Sequence, residues 1–353
     1  MFNNVSKWRT STRRFIASMQ HRIRYLLNKM RHELFLRALA FAERKSGRFI
    51  TFHTRPIYSK DIVHVADTLV HTPSCAIVLQ GPILKKYDFT LETIRTYKKV
   101  YPMLTIILST WEDEDPVYLE KIRDEGIEIV LNKKPAYNGP RNVNMQIVSA
   151  RNGIKRAKDL GVPYVIKSRT DQRMYNKNII ETLYNLIQYF PPGERSKQNK
   201  RIIFGHNTPK YQPYVFSDIF IFGDIDDMVE YWDTDLVEKD AQYPVFIAEM
   251  YLAYSYLKRK GWPMTWSIQA MWEIYRECII TIDWTEIDLF WLKYDYFWER
   301  HFWEHKHRYN QKNTPSTDHL HFHDWFNIYS DMENKVITSQ HEGFIRMQVP
   351  EKR

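Results

Sequence analysis

The run Lys167-Ser-Arg-Thr-Asp-Gln-Arg173 sets two cations and a carboxylate side by side. Lys167 and Arg169 can neutralise a diphosphate through charge-assisted hydrogen bonds. Asp171 can hold Mg²⁺ or Mn²⁺ through one oxygen while diphosphate oxygens complete the shell. The same Asp171 also suits the N-cap of a helix running on from Met174. Three other points carry groups that suit a nucleotide: Gln80-Gly81-Pro82, Thr110-Trp111 and Asn132. Trp111 can stack on a base and Gln80 and Asn132 can hydrogen-bond it, although loops are polar whatever they bind. Asn142 and Gln146 begin a polar stripe, continued by Ser149, beside an apolar one.

A proton acceptor is to be sought further on. The stretch PVFIAEMYLAYSYL, Pro244 to Leu257, has one charged residue, Glu249. A helix so apolar around its circumference is buried, so a carboxylate in it has a raised pKa or a partner. That suits a general base, or equally a structural pair with a buried Arg or Tyr. Asp218, in Phe216-Ser-Asp-Ile-Phe220, is the second candidate, with a satisfied turn or strand-edge acid as its structural alternative. His301 and His305 are four apart and His319, His321 and His323 alternate, which allows a zinc site as well as solvated or core histidines.

The eleven glycines exclude two chemistries at once, because no two lie closer than eight residues. Neither GxGxxG nor GxxxxGK[ST] exists here, so a nucleotide must be held without a Gly-rich loop.

Positioning these groups falls to alternating strands and helices. Strands are predicted at Cys75–Leu79, Leu104–Leu108, Ile127–Leu131 and Tyr164–Ile166. Helices are predicted at about Thr90–Lys99, from Asp115-Pro116 to Gly126, and from Pro140 to Gly161, with Val143, Ile147, Ala150, Ile154 and Ala157 as the apolar stripe. This alternation implies a parallel sheet covered on both faces. Gln80-Gly81-Pro82, Thr110-Trp111, Asn132 and the Lys167 run each come just after one of these strands, at the carboxyl ends where open α/β sheets bind ligands. Further strands are predicted at Arg201–Phe204 and Tyr214–Phe222 and a helix at Pro244–Lys260. The segment Trp262–Trp303, with seven of the 11 Trp, reads as helical and suits core packing, an acceptor groove or a membrane interface. Residues beyond Asn310 give no assignable pattern.

Charge is distributed unevenly over the 353 residues. Residues 1–48 carry +10, with 12 Lys/Arg against two acids; the remainder holds 39 basic and 40 acidic residues, which leaves the net at +9. A near-neutral body is a poor nucleic-acid binder. Residues 14–42 repeat apolar side chains at near-helical spacing with Arg22, Lys29 and Arg37 between them, and Arg44 follows. This basic amphipathic pattern suits an anionic membrane surface, or a helix docked on the body with a solvated basic face. Two cysteines, no apolar run long enough to span a bilayer and a charged N-terminus point to a cytoplasmic chain.

Four runs, Ala76-Ile-Val-Leu-Gln-Gly-Pro-Ile83, Ile106-Ile-Leu-Ser-Thr-Trp-Glu112, Arg141-Asn-Val-Asn-Met-Gln-Ile-Val-Ser149 and the run from Lys167 to Arg173, resemble the WavE family of lipopolysaccharide-synthesis proteins, over roughly residues 73–300. The resemblance implies a GT-A-like, Rossmann-type α/β fold and transfer of a sugar from a nucleotide-sugar donor to a lipid-linked or lipopolysaccharide glycan. By their place at the strand ends and on the helix after Pro140, Gln80, Gly81, Pro82, Thr110, Trp111, Asn132, Asn142, Gln146, Lys167, Arg169 and Asp171 are the residues expected to face that donor. Asp171 would take the place of the two-carboxylate metal motif, here reduced to Thr170-Asp171-Gln172, and Glu249 or Asp218 would serve as base. The expected organisation is an arm over 1–60, a catalytic domain over 70–300 (donor half 73–175, acceptor half 200–300) and an extension over 301–353. The arm would hold the protein on the cytoplasmic face of the inner membrane. A sugar-phosphate or polyol-phosphate transferase and a non-enzymatic module that binds acidic partners are the alternatives.

Overall fold

A computed structural model describes residues 19, 26–27, 29–47, 54–63, 73–205, 208–239, 247–295 and 319–331. The chain divides into two units, Met1–Arg55 and Pro56–Arg353.

In the first unit, helix α1 runs over 29–46 and closes at Gly47, whose positive φ of 63° lets its N–H return to the Glu43 carbonyl. Met30, Leu34, Phe35 and Phe41 on it are all exposed. Arg22 lies outside the described residues.

The second unit is built on a seven-stranded sheet in the order β3-β2-β1-β4-β7-β6-β8. Its strands are β1 Cys75–Gln80, β2 Thr105–Trp111, β3 Glu128–Asn132, β4 Tyr164–Arg169, β6 Ile202–Gly205, β7 Ile221–Asp224 and β8 Ile279–Ile282. Neighbours pair in parallel except that β7 is antiparallel to both β4 and β6. Six strands therefore deliver their carboxyl ends to one edge, where β7 begins. All six residues of β1 are buried, the burial expected of a strand covered on both faces.

Crossovers are helical: α2 Phe89–Val100, α3 Pro116–Arg123 and α4 Val143–Asp159. Asp115 caps α3 by accepting from the Val117 N–H, with Pro116 in the first turn. The stripe Val143, Ile147, Ala150, Ile154 and Ala157 is the buried face of α4. Gly153 lets that helix approach the sheet closely, because a Cβ there would lie 2.4 Å from Val78 Cγ1 and 3.0 Å from Ser109 Cβ. Pro140 opens a short 3-10 turn rather than the helix, and Arg141 and Asn142 take left-handed backbone before α4 starts.

The second half departs further from the sequence pattern. The strand expected over Tyr214–Phe222 shrinks to β7, because Tyr214 has a φ of 59° and Ser217 turns the chain by accepting from the Ile219 N–H. Residues 214–220 thus form a buried irregular segment entering β7. After α5 Ile179–Tyr189 and α6 Ile225–Trp232 comes α7, Ala248–Arg259, shorter than expected at its start; Pro244 lies outside the described residues. The Trp-rich segment is not all helical: α8 Ile268–Cys278 leads into β8, a turn of helix α9 Trp284–Ile287, strand β9 Leu289–Trp291 and the turn α10 Leu292–Asp295. Ile279-Ile-Thr-Ile282 is β-branched throughout, which favours the extended form. β9 pairs with β5, Gln172–Met174, in a separate ribbon just past β4. Trp298 and Trp303 lie outside the described residues.

The tail that carried no pattern contains helix α11, Phe322–Ser330, packed on α8 and β8. Trp325 is fully buried and its indole N–H donates to the Tyr275 carbonyl. The Arg201 guanidinium, itself buried, lies under the Trp325 and Tyr329 rings.

Candidate active site

At the edge where β4 ends and β7 begins, charged side chains collect. Lys167 is the fourth residue of β4, with a fully buried side chain. Its ammonium donates to the Asp218 backbone carbonyl, held there by the register that sets Lys167 opposite Ile221, and lies 5.2 Å from the centre of the Trp232 ring. Burial lowers its pKa to about 8 despite the nearby Asp218, Asp171 and Glu249 charges, with the Arg169 charge acting in the same direction as burial.

Glu249 occupies the first turn of α7. Its carboxyl is held above the ordinary range by burial and by the Asp218 charge, against the opposing charges of Arg141 and Lys167. The 3-10 turn that carries Arg141 packs on α7, and that packing sets the arginine near Glu249.

Beside this group lies a clamp. Arg169 Nε donates to Asp171 Oδ1 at 2.9 Å and Nη2 to Oδ2 at 3.2 Å. The Arg169 guanidinium lies 5.2 Å from the centre of the Trp291 ring. Trp291 reaches this position because β9 pairs with β5 and the Leu292 N–H donates to the Asp171 carbonyl. Burial works against the ionised Asp171, but the Arg169 hydrogen bonds and charge prevail and its pKa falls.

The candidate residues after β1 and β2 divide in two. Gln80, opposite Arg169 in register, is 6% exposed and its side-chain carbonyl oxygen has no partner among the described residues. The Gln146 side-chain oxygen, four residues into α4, is likewise unpartnered. Both could accept from a ligand. Gly81, at φ 118°, passes so near Thr170 that a Cβ would lie 3.2 Å from its Oγ1, which itself donates to the Pro82 carbonyl. Other candidates have their polar atoms committed within the fold. Asn132 donates to Ser109 Oγ and the Thr110 carbonyl and accepts from Asn152. Thr110 donates to Glu114, and the Trp111 side chain is buried. Asn142 is exposed, in left-handed backbone at the start of α4. At the end of the Lys167 run, Arg173 turns away and donates to the Ile57 and Phe89 carbonyls.

Sequence reasoning did not select Arg141, Glu114, Trp232 or Trp291. Arg141 left a signal, a cation directly after the Gly139-Pro140 turn, and Glu114 lies only four residues from Thr110; the two tryptophans reach the site through contacts remote in sequence.

A divalent cation does not fit these residues as arranged. Both Asp171 oxygens are engaged by Arg169, and among the described residues no three His, Cys, Asp or Glu side chains converge on a point. Of the histidines, His321 Nδ1 lies 2.5 Å from Asp283 Oδ1 and its ring stacks on His323, whereas His301 and His305 lie outside the described residues.

The fold and this edge define an α/β protein whose site is assembled at the carboxyl ends of a mostly parallel sheet. A family model described as WavE lipopolysaccharide synthesis matches residues 75–262, and the chain belongs to that family. Among solved structures it is similar to a cytidylyltransferase from Leptospira borgpetersenii serovar Hardjo-bovis, at 10% identity over 45% of this chain and 63% of that one, with a TM-score of 0.29. A putative nucleotide-diphospho-sugar transferase from Desulfovibrio desulfuricans is similar at 11% identity, over 53% and 76% of the two chains, with a TM-score of 0.32. A glycosyltransferase involved in glycosylation of the major capsid of PBCV-1 is similar at 13% identity, over 52% and 76%, with a TM-score of 0.30. This chain thus spans less than two thirds of the cytidylyltransferase. No curated protein matches it.

Proposed function

We propose that the chain transfers a glycosyl group from a nucleotide-sugar donor to a hydroxyl of a lipid-linked or lipopolysaccharide glycan, with inversion at the anomeric carbon. The observation that carries this reading is the adjacency of a carboxyl with a raised pKa, Glu249, to the cationic edge of Lys167, Arg141 and the Arg169–Asp171 clamp.

In the proposed step the acceptor oxygen attacks the anomeric carbon. The bond from that carbon to the donor diphosphate breaks, and the nucleoside diphosphate leaves with the bonding electron pair. Glu249 takes the hydroxyl proton; a base whose pKa is moved toward neutrality suits this transfer. Asp218 is the alternative acceptor of that proton. As the diphosphate gains charge, the Arg169 cation stabilises it. Gln80 and Gln146 offer acceptors for donor hydroxyl or N–H groups.

The arm supplies an address. Exposed apolar side chains on α1, with Arg31, Arg37 and Arg44 along the same helix, support peripheral attachment to an anionic cytoplasmic membrane surface, where a lipid-linked acceptor would lie. No helix among the described residues is long and apolar enough to cross a membrane.

The deciding experiment is a panel of nucleotide sugars assayed for thermal stabilisation of the full chain and for release of nucleoside diphosphate in the presence of glycolipid extract. One donor should stabilise the fold and release its nucleotide only with acceptor. If no donor did either, the transferase reading would fail and the acidic-partner module would gain.

A further inference from the structure

Within the proposed donor site the two cations of β4 are not equivalent. Lys167 points its ammonium at the Asp218 carbonyl and is closed off from solvent, under the Trp232 ring. Arg169 keeps a quarter of its side chain exposed at the strand end. Its orientation is set on two sides, by the bidentate Asp171 carboxylate and by the Trp291 ring. The position that resemblance would give to a cation held by Asp171 is thus taken by a cation belonging to the chain itself.

A second observation points to a ligand at the same place. Gln80 stands opposite Arg169 in the β1–β4 register, is more than nine-tenths buried, and carries the unpartnered side-chain oxygen. Buried amide oxygens are rarely left without a donor. A nucleoside diphosphate brings both complements, phosphate oxygens for the guanidinium and a hydroxyl or imide N–H for the amide oxygen.

We infer that Arg169, oriented by Asp171 and Trp291, replaces a divalent metal as the group that binds the donor diphosphate, with Gln80 receiving a nucleoside hydroxyl or N–H beside it. Asp171 is then a positioning residue and not a metal ligand. The inference rests on the donor reading above, but its test does not depend on turnover.

The test is calorimetric titration of the full chain with inorganic pyrophosphate, in EDTA and then in Mn²⁺. Binding should be present in EDTA and unchanged by Mn²⁺. Arg169→Gln should weaken it about tenfold or more, the worth of a lost charge-assisted contact. Because that variant strands a buried carboxylate, the double variant Arg169→Gln, Asp171→Asn is the folding control: its melting temperature should be near that of the parent and its pyrophosphate binding equally weakened. Binding seen only with Mn²⁺, binding retained by the double variant, or no binding in either buffer overturns the inference. Pyrophosphate binding in EDTA by a chain that turns over no nucleotide sugar would instead sink the glycosyl-transfer reading and leave the anion site standing.

Discussion

The ammonium of Lys167 donates to the backbone carbonyl of Asp218, so a fully buried cation anchors the irregular segment that brings Asp218 toward Glu249. The interaction joins β4 to the chain entering β7, two neighbours of opposite direction in the sheet.

Lys167 holds its charge at a cost to the fold. Its pKa is lowered from 10.5 to about 8, equivalent to roughly 3 kcal/mol against the charged form. For a base depressed in the folded state, this penalty is complete below about pH 8 and fades as pH rises toward 10.5. Lys167→Met should therefore lose the stability gain that the parent shows between those limits. Urea denaturation across that range checks this, and turnover of the variant should fall.

Glu249 has to be ionised to accept a proton. Since burial and Asp218 raise its pKa, kcat/KM should climb with pH through a midpoint above about 4.3, the ordinary value for Glu. Glu249→Gln should lower turnover by about a hundredfold or more while leaving donor affinity intact. A lowered melting temperature with normal turnover in the folded fraction would make Glu249 structural instead. In any variant that keeps Glu249 but loses the Lys167 charge, the midpoint should move upward.

Asp227, in the first turn of α6, accepts from the Asn199 and Lys200 N–H groups at 3.1 and 2.8 Å. Burial nevertheless raises its pKa to about 6. The sign is opposite to that of a salt-bridged carboxylate: stability is complete below the unfolded value of 3.8 and is lost as pH rises through about 6. The parent should lose about 2–3 kcal/mol over that interval relative to Asp227→Asn. Equal slopes for the two proteins would refute this.

The arm makes a separate prediction. The full chain should sediment with vesicles containing anionic lipid, less with zwitterionic ones, and less again as salt is raised. Arg37→Glu with Arg44→Glu should reduce sedimentation, and Leu34→Ser with Phe41→Ser should do so in low salt as well. Sedimentation equal in both lipids would remove the electrostatic role of the arm.

Much of the donor half could be read from the chain in one dimension. Strand runs such as Ala76-Ile-Val-Leu79, the α4 stripe and the Asp115-Pro116 cap are local signals, spaced within the period of the element they form. They set the order of strands and helices, and through it the edge at which Gln80 and Lys167-Ser-Arg-Thr-Asp171 emerge. The glycine spacing likewise excluded Gly-rich phosphate loops without any structure. The second half was less legible because its backbone is decided by contacts. Tyr214 takes left-handed backbone inside an alternating run, and the Trp-rich segment forms β8 and β9 because strands elsewhere in the chain receive them.

What the residue types determined is that cations, carboxylates and amides share one edge of a mostly parallel sheet. Which of them face a ligand and which face one another was decided only by tertiary structure. Asn132 spends its amide on Ser109, Thr110 and Asn152; Lys167 turns to the Asp218 carbonyl; Arg169 closes on Asp171 under Trp291. A side chain's partner depends on distances between residues remote in sequence, and a buried polar group must be satisfied by whatever the fold brings beside it.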